Sequence, residues 1–218
     1  MADMTAIFVT SCGTGRGKTY VCEKIIRDHR AAGEAVQVLK PVISGFDLAA
    51  VDECDTGLLI AALGQDPTQG NIDRVSPWRY TAPLSPDMAA FLENRTVPVD
   101  EIIAYCRASI ERAEREGQHL LIEGVGGVMV PLDDTRTIRD LIASLDIPVI
   151  LVVGSYLGSL SHALTALEAL RARNIVIDRI IVNETEDSNI QLSETRDVLA
   201  RFVGGVGIET INFSPPPP

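Results

Sequence analysis

Residues 13–19 read Gly-Thr-Gly-Arg-Gly-Lys-Thr, three spaced glycines ahead of an adjacent lysine and threonine. Glycines let successive backbone N–H groups converge on an anion, and a lysine adds positive charge. A threonine hydroxyl supplies oxygen to a hard cation. With an apolar run before it and a helical run after it, the pattern is a phosphate-binding loop. In that reading Lys18 reaches the β- and γ-phosphates and Thr19 binds Mg²⁺. The competing reading is a glycine-rich turn that caps a helix. The spelling is also irregular, because G-x-x-x-x-G-K-[ST] asks for glycine where the chain has Cys12.

Four further polar residues stand where strands end or helices begin. Lys40 closes the run AVQVLK, a strand expected to lie next to the first one, and Pro41 stops further pairing. Beside an anion site Lys40 would stabilise charge; elsewhere a strand-end lysine is simply solvated. Ser44 and Gly45 follow as candidate hydrogen-bond donors. Asp55 opens a helix, where N-capping is the plain explanation. Glu123 ends the apolar run HLLIE and precedes Gly124, Val125, Gly126 and Gly127. A lone buried carboxylate is costly, so an acid there fits the strand-end metal carboxylate of phosphoryl-transfer enzymes. Asn183, ending DRIIVN, offers an amide for a nucleotide base. His29, His119 and His162 have no metal-ligand spacing and are expected to be structural or solvated.

These positions need a scaffold, and the chain alternates strand with helix throughout. Runs 6–10, 119–124, 148–153 and 178–183 are short, rich in Val, Ile and Leu and mostly non-alternating, as strands buried on both faces are. Runs 35–40 and 207–211 are weaker strands, the latter at an edge. Helices are expected over 18–31, 55–63, 100–116, 137–145, 158–172 and 190–202, with Asp100 as N-cap and Gly117 as C-cap of the third. The proline-rich stretch 76–87 reads as a long loop with a helix starting near Pro86. The fold expected is α/β, a doubly wound, mainly parallel sheet. It forms a single domain over 1–218, with residues 213–218 as a proline-rich tail. Ligands of such sheets lie at the carboxyl ends of the strands, where the glycine loop, Lys40, Glu123 and Asn183 are found.

Composition narrows the partners. A net charge of −11 argues against nucleic-acid binding through a broad basic surface. Four scattered cysteines without a C-x-x-C pair point away from zinc or a disulfide framework and toward a reducing cytosol. The apolar run IPVILVV is too short to span a bilayer, and MADMTAIFVT lacks the pattern of an export signal. A soluble cytoplasmic protein with no membrane partner is expected.

Taken together, FVTSCGTGRGKT, LKPVISG, CDTGLL, EGVGGVMVPL, PVILVVGSYLGSLSHALTA and IIVNE resemble, in order and spacing, the dethiobiotin synthetases. The resemblance runs over about residues 5–185. It implies a P-loop NTPase-like fold and a homodimeric ligase of biotin synthesis that uses Mg²⁺ and ATP. The diamine 7,8-diaminononanoate takes up CO₂ as a carbamate, ATP phosphorylates it to a carbamic–phosphoric anhydride, and the second amine closes the ureido ring. It also implies residue roles. Thr19, Asp55 and Glu123 hold Mg²⁺. Lys18, Lys40 and Thr14 are catalytic. Gly13, Gly15, Arg16, Gly17, Lys18, Thr19 and Tyr20 bind nucleotide, together with Asp55, Glu123, Gly124, Val125, Gly126 and Asn183. Ser44 and Thr14 contact the diamine or its carbamate, and Tyr156, Leu157 and Gly158 hold its carboxylate end across the dimer interface. The family loop usually reads G-T-D-T-G-x-G-K-T, whereas Ser11, Cys12 and Gly13 stand here for G-T-D.

Another reading is a dimerising switch ATPase of the partitioning or septum-site type. Those proteins share the fold but carry a signature lysine near position 13, which is Gly13 here. A corrinoid-pathway amidating ligase needs a glutaminase domain, for which 218 residues leave no room.

Overall fold

The computed structural model describes residues 5–186 and 188–212, so the tail expected at 213–218 lies outside the described residues. Six strands form one parallel sheet: β1 Ala6–Ser11, β2 Val36–Leu39, β5 His119–Glu123, β6 Val149–Val153, β7 Ile177–Asn183 and β8 Gly207–Ile211. Their spatial order is β2-β5-β1-β6-β7-β8. Lys40 therefore ends a strand that pairs with β5, not with β1 as its sequence position suggested. The chain leaves β1 toward one edge and later crosses from β5 to β6 on its other side, so the sheet's switch point lies at the end of β1.

Consecutive side chains of a strand face opposite sides, and both sides of this sheet are covered. Val9, Leu121, Ile150 and Val152 pack with Val21, Cys22 and Ile26 of α1 (Lys18–Ala31), Leu59 and Ile60 of α2 (Asp55–Ala62) and Ile72 of α3 (Gln69–Val75). Phe8, Leu120, Ile122 and Leu151 pack on the opposite face. There they meet Ile102, Cys106 and Ile110 of α5 (Val99–Glu116), Leu141 and Ile142 of α6 (Ile138–Leu145) and Leu167 and Leu170 of α7 (Ser159–Arg171). Leu192 and Leu199 of α8 (Leu192–Leu199) join the same face. Double burial is why these strands read as continuous apolar runs.

Two local expectations are corrected. Stretch 76–87 is not all loop, because Trp78–Tyr80 (β4) pairs in parallel with Val42–Ser44 (β3) in a separate two-stranded sheet. Pro41 ends β2 as expected, but the chain then enters β3; the Lys40 N–H donates to the Val75 carbonyl, not to the main sheet. Asp100 is not the cap of α5: the helix starts at Val99 after Pro98, and the Asp100 carboxylate pairs with Arg136 at 2.7 Å. Gly117 does close that helix in the left-handed region, and α4 begins at Pro86 (Pro86–Leu92).

Candidate active site

The turn after β1 runs from Cys12 to Gly17, and α1 starts at Lys18. Gly17 caps that helix at φ 82°, a conformation that strains any L side chain, and a Cβ there would lie 2.2 Å from Asn183 Nδ2. Two constraints of different origin thus require glycine. Gly127 faces a similar close approach, since its Cβ would meet the Gly13 nitrogen at 3.0 Å. The 124–127 segment therefore lies against the phosphate loop, pinned by the Val128 N–H donating to the Ser11 carbonyl at 3.0 Å.

Ser11 stands out in the sequence as a departure from the family loop, but without a role. Its buried hydroxyl lies 2.7 Å from the Gly13 carbonyl and 3.1 Å from that of Gly126, and it accepts from Lys18 Nζ at 3.2 Å. One hydroxyl thereby joins the loop, the opposite glycine segment and the loop lysine. The only clue in the sequence was that a polar residue replaced the family's glycine.

Lys18 and Lys40 are both buried. Burial, joined by the neighbouring Lys40 charge, lowers the Lys18 pKa. Burial opposes the charge on Lys40 as well, but the carboxylates of Glu123 and Asp55 outweigh it and raise its pKa. Lys40 Nζ lies 2.6 Å from Glu123 Oε1 and 2.7 Å from Asp55 Oδ2. Asp55 is thus the first residue of α2, and its carboxylate is an ion-pair partner more than a cap. Burial would raise its pKa, yet the Lys40 charge and hydrogen bonds from Lys40 and Thr19 bring it below the ordinary value.

Glu123 is fully buried at the end of β5. Its Oε1 accepts from Thr19 Oγ1 at 2.9 Å as well as from Lys40, and its Oε2 is buried with no hydrogen-bond partner. Orphaned buried carboxylate oxygens are costly and call for a ligand. Thr19, Asp55 and Glu123 together present the hard oxygen donors that suit Mg²⁺, so the donor set fits that ion. Cys22 lies beneath, and burial together with Glu123 pushes its thiol pKa well up, so it stays protonated and inert.

Asn183, at the end of β7, donates from Nδ2 to the Arg16 carbonyl at 3.3 Å and keeps a buried, unpartnered Oδ1. It contacts the phosphate loop directly. Arg16 in turn places its guanidinium 4.3 Å over the Tyr156 ring, and the Tyr156 hydroxyl meets His162 Nδ1 at 2.8 Å. Tyr156 and Gly158, the N-cap of α7, are thereby brought to the same end of the sheet, while Leu157 is 83% exposed. Ser44 ends β3 with its hydroxyl buried and unpartnered. Thr14 and Gly15 are exposed at the loop crest, Gly13 and Tyr20 are part-buried, and Gly124 receives the chain back from β5 through its N–H to the Val9 carbonyl. Val125 packs against the core. His29 and His119, expected to be structural or solvated, stack with ring centroids 4.1 Å apart at the other end of the sheet.

A family model described as an AAA domain matches residues 5–207. The chain is 44% identical over 202 residues to an ATP-dependent dethiobiotin synthetase of Acidiphilium cryptum, covering 92% of this chain and 89% of that one. It is 45% identical over 204 residues to a namesake from a Caulobacter species, covering 93% and 85%. Among solved structures, the MinC:MinD cell division complex of Aquifex aeolicus aligns with TM-score 0.57 at 16% identity, over 96% of this chain and 82% of that one. The signal recognition particle receptor FtsY of Elizabethkingia anophelis aligns with TM-score 0.53 at 14% identity; the chain spans 58% of that protein's length. At such identities these two likenesses show the fold alone.

Proposed function

The chain belongs to the dethiobiotin synthetase family, and from that premise we propose how its residues divide the work. It is an ATP-dependent ligase that forms C–N bonds in biotin biosynthesis, with Mg²⁺ as cofactor and ATP as substrate. One amine of 7,8-diaminononanoate adds to CO₂ and loses a proton, giving a carbamate. A carbamate oxygen takes the γ-phosphoryl group, releasing ADP. The second amine then attacks the carbamoyl carbon, the C–O bond to phosphate breaks, and phosphate leaves as the ureido ring closes.

The observation that carries the assignment of roles is the buried Lys40–Glu123 pair beside Lys18, joined by the half-exposed carboxylate of Asp55. Moving a phosphoryl group onto an anionic acceptor brings like charges together, so the site must supply fixed positive charge. In this reading Lys18 and the unpaired N–H groups at the start of α1 neutralise the phosphates. Lys40 turns from its carboxylates toward the carbamate and γ-phosphate as charge develops there. Thr19, Asp55 and Glu123 hold Mg²⁺, which when bound shields the charge of the β- and γ-phosphates. Thr14 and Ser44 hydrogen-bond the diamine or its carbamate; the unpartnered Ser44 hydroxyl supports this. Asn183 contacts the base through Oδ1, while Gly13, Gly15, Arg16, Gly17, Tyr20, Gly124, Val125 and Gly126 form the walls around the nucleotide.

The reading also takes the enzyme as a cytoplasmic homodimer, one domain per chain, with no nucleic-acid or membrane partner. Tyr156, Leu157 and Gly158 then hold the substrate carboxylate beside the partner subunit. The exposure of Leu157 and of Met88, Phe91 and Leu92 on α4 supports burial of apolar surface between subunits. Among the described residues no helix is long and apolar enough to cross a membrane.

The test supplies 7,8-diaminononanoate, bicarbonate, Mg²⁺ and ATP, and follows phosphate release together with dethiobiotin. Diamine-dependent release of both products is expected. Absence of diamine-dependent phosphate with every nucleoside triphosphate would overturn the assignment.

A further inference from the structure

We propose that His29, Glu34 and His119 form a binding site for a borderline transition-metal ion of the zinc class, separate from the nucleotide site. His29 Nδ1 lies 2.5 Å from Glu34 Oε2, and His119 Nε2 lies 3.5 Å from the same oxygen. One ligand atom from each residue lies within 4.8 Å of the others. Two imidazole nitrogens and one carboxylate oxygen suit zinc-class ions, whereas Mg²⁺ takes oxygen donors.

The backbone sets this grouping. His29 lies in the last turn of α1, and the helix closes with the Gly33 N–H on the Arg30 carbonyl and the Glu34 N–H on the His29 carbonyl, with Gly33 at φ 77°. That pair of bonds is a Schellman closure, and it brings the side chain after the glycine back over the residue five positions earlier. An apolar contact usually fills that position; here it is a carboxylate on an imidazole. His119 arrives independently, because the first residue of β5 pairs with Val36 and its N–H donates to the Ala35 carbonyl. The carbonyl end of α1 adds partial negative charge beside the carboxylate. The next residue on the helix, Arg30, is committed elsewhere, donating to the Ala62 carbonyl at 2.8 Å.

Ligand atoms on a tetrahedral zinc lie roughly 3.4 Å apart, given bonds of about 2.1 Å. The His119–Glu34 spacing already meets that, and the His29–Glu34 spacing opens by about 1 Å on a side chain that is 48% exposed and free to turn. The site lies at the amino end of β5, whereas Glu123 lies at its carboxyl end, roughly 13 Å away along the strand. Metal bound there would clip α1 to β5 without touching the phosphate loop.

The test is calorimetric titration of the full chain with Zn²⁺ at pH 8, Mg²⁺ being present in large excess to fill any oxygen-donor site. One Zn²⁺ per chain is expected. Glu34→Gln and His119→Ala should each weaken binding at least about tenfold, or ~1.4 kcal/mol. Zn²⁺ should raise the thermal midpoint of the native chain and not of either variant. Glu34 is exposed, so Glu34→Gln folds normally and keeps the comparison sound. Failure to bind Zn²⁺, or binding that neither substitution weakens, overturns the proposal. Neither result bears on the ligase assay, which reads the opposite end of the sheet.

Discussion

Lys40, one residue past the end of β2, and Glu123, the last residue of β5, meet at 2.6 Å in a site where both are buried. The two strands pair with each other, so their carboxyl ends deliver the ammonium and the carboxylate to one point. Truncating one member of a buried ion pair leaves the other charge uncompensated, which costs about 3–5 kcal/mol.

Lys40→Ala should therefore lower stability by that order and reduce turnover by about 10²–10³-fold, the loss found when one charge-stabilising donor is removed. Nucleotide affinity should change far less, since Lys18 and the loop backbone remain. Steady-state kinetics with nucleotide titration separates the two effects. Equal losses of affinity and turnover would mean that Lys40 is only a nucleotide ligand.

Ser11→Ala removes a hydroxyl that serves Lys18 and the carbonyls of Gly13 and Gly126. Losing a buried hydrogen-bond partner costs about 1–3 kcal/mol. A lower melting temperature and a KM for ATP raised by about tenfold, ~1.4 kcal/mol, are expected. An unchanged KM for ATP would remove Ser11 from the nucleotide machinery.

Gly17→Ala meets both a left-handed φ and the Asn183 amide. The backbone strain alone amounts to about 1–2 kcal/mol. Adding Asn183→Ala relieves the clash but not the strain, so the double variant should recover only part of the stability lost. Full recovery in denaturant melts would show that φ at Gly17 is not constraining.

Asp140 supplies the pH prediction. Partial burial would raise its pKa, but the Thr137 N–H and hydroxyl and the charges of Arg173 and Arg139 bring it below the ordinary aspartate value. A depressed folded-state pKa means stability that is full above the unfolded value of about 3.9 and lost as pH falls through the lower folded value. Asp140→Asn should cost about 1 kcal/mol at neutral pH, the net worth of a typical hydrogen bond. The gap from the native chain should close below about pH 4. A pH-independent gap would show that the charge is not what matters.

The sequence by itself determined the features that depend on neighbours in the chain. Val9, Leu121 and Ile150 lie in uninterrupted apolar runs because their strands are covered on both faces. Gly15 to Thr19 spell an anion loop because a phosphate site needs converging N–H groups within a few residues. Lys40, Glu123 and Asn183 could be placed at strand ends, and strand ends are where a parallel sheet binds ligands. Family resemblance then supplied the reaction.

Only the tertiary structure decided which of these residues meet. Inserting β5 between β2 and β1 is a choice among pairings that similar apolar runs permit equally, and it sets Lys40 against Glu123. Trp78–Tyr80 became a strand through pairing with Val42–Ser44, a partner that a three-residue segment among prolines does not announce. Asp55 gave up its cap role to an ammonium supplied from another strand, and Ser11 gained its role from Lys18 and from the glycines after β5. His29 and His119 stack because a helix end and a strand start abut in space. Spacing along the chain carries periodicity and turn chemistry, whereas ion pairs and shared ligand sites depend on long-range closure, which no local pattern encodes.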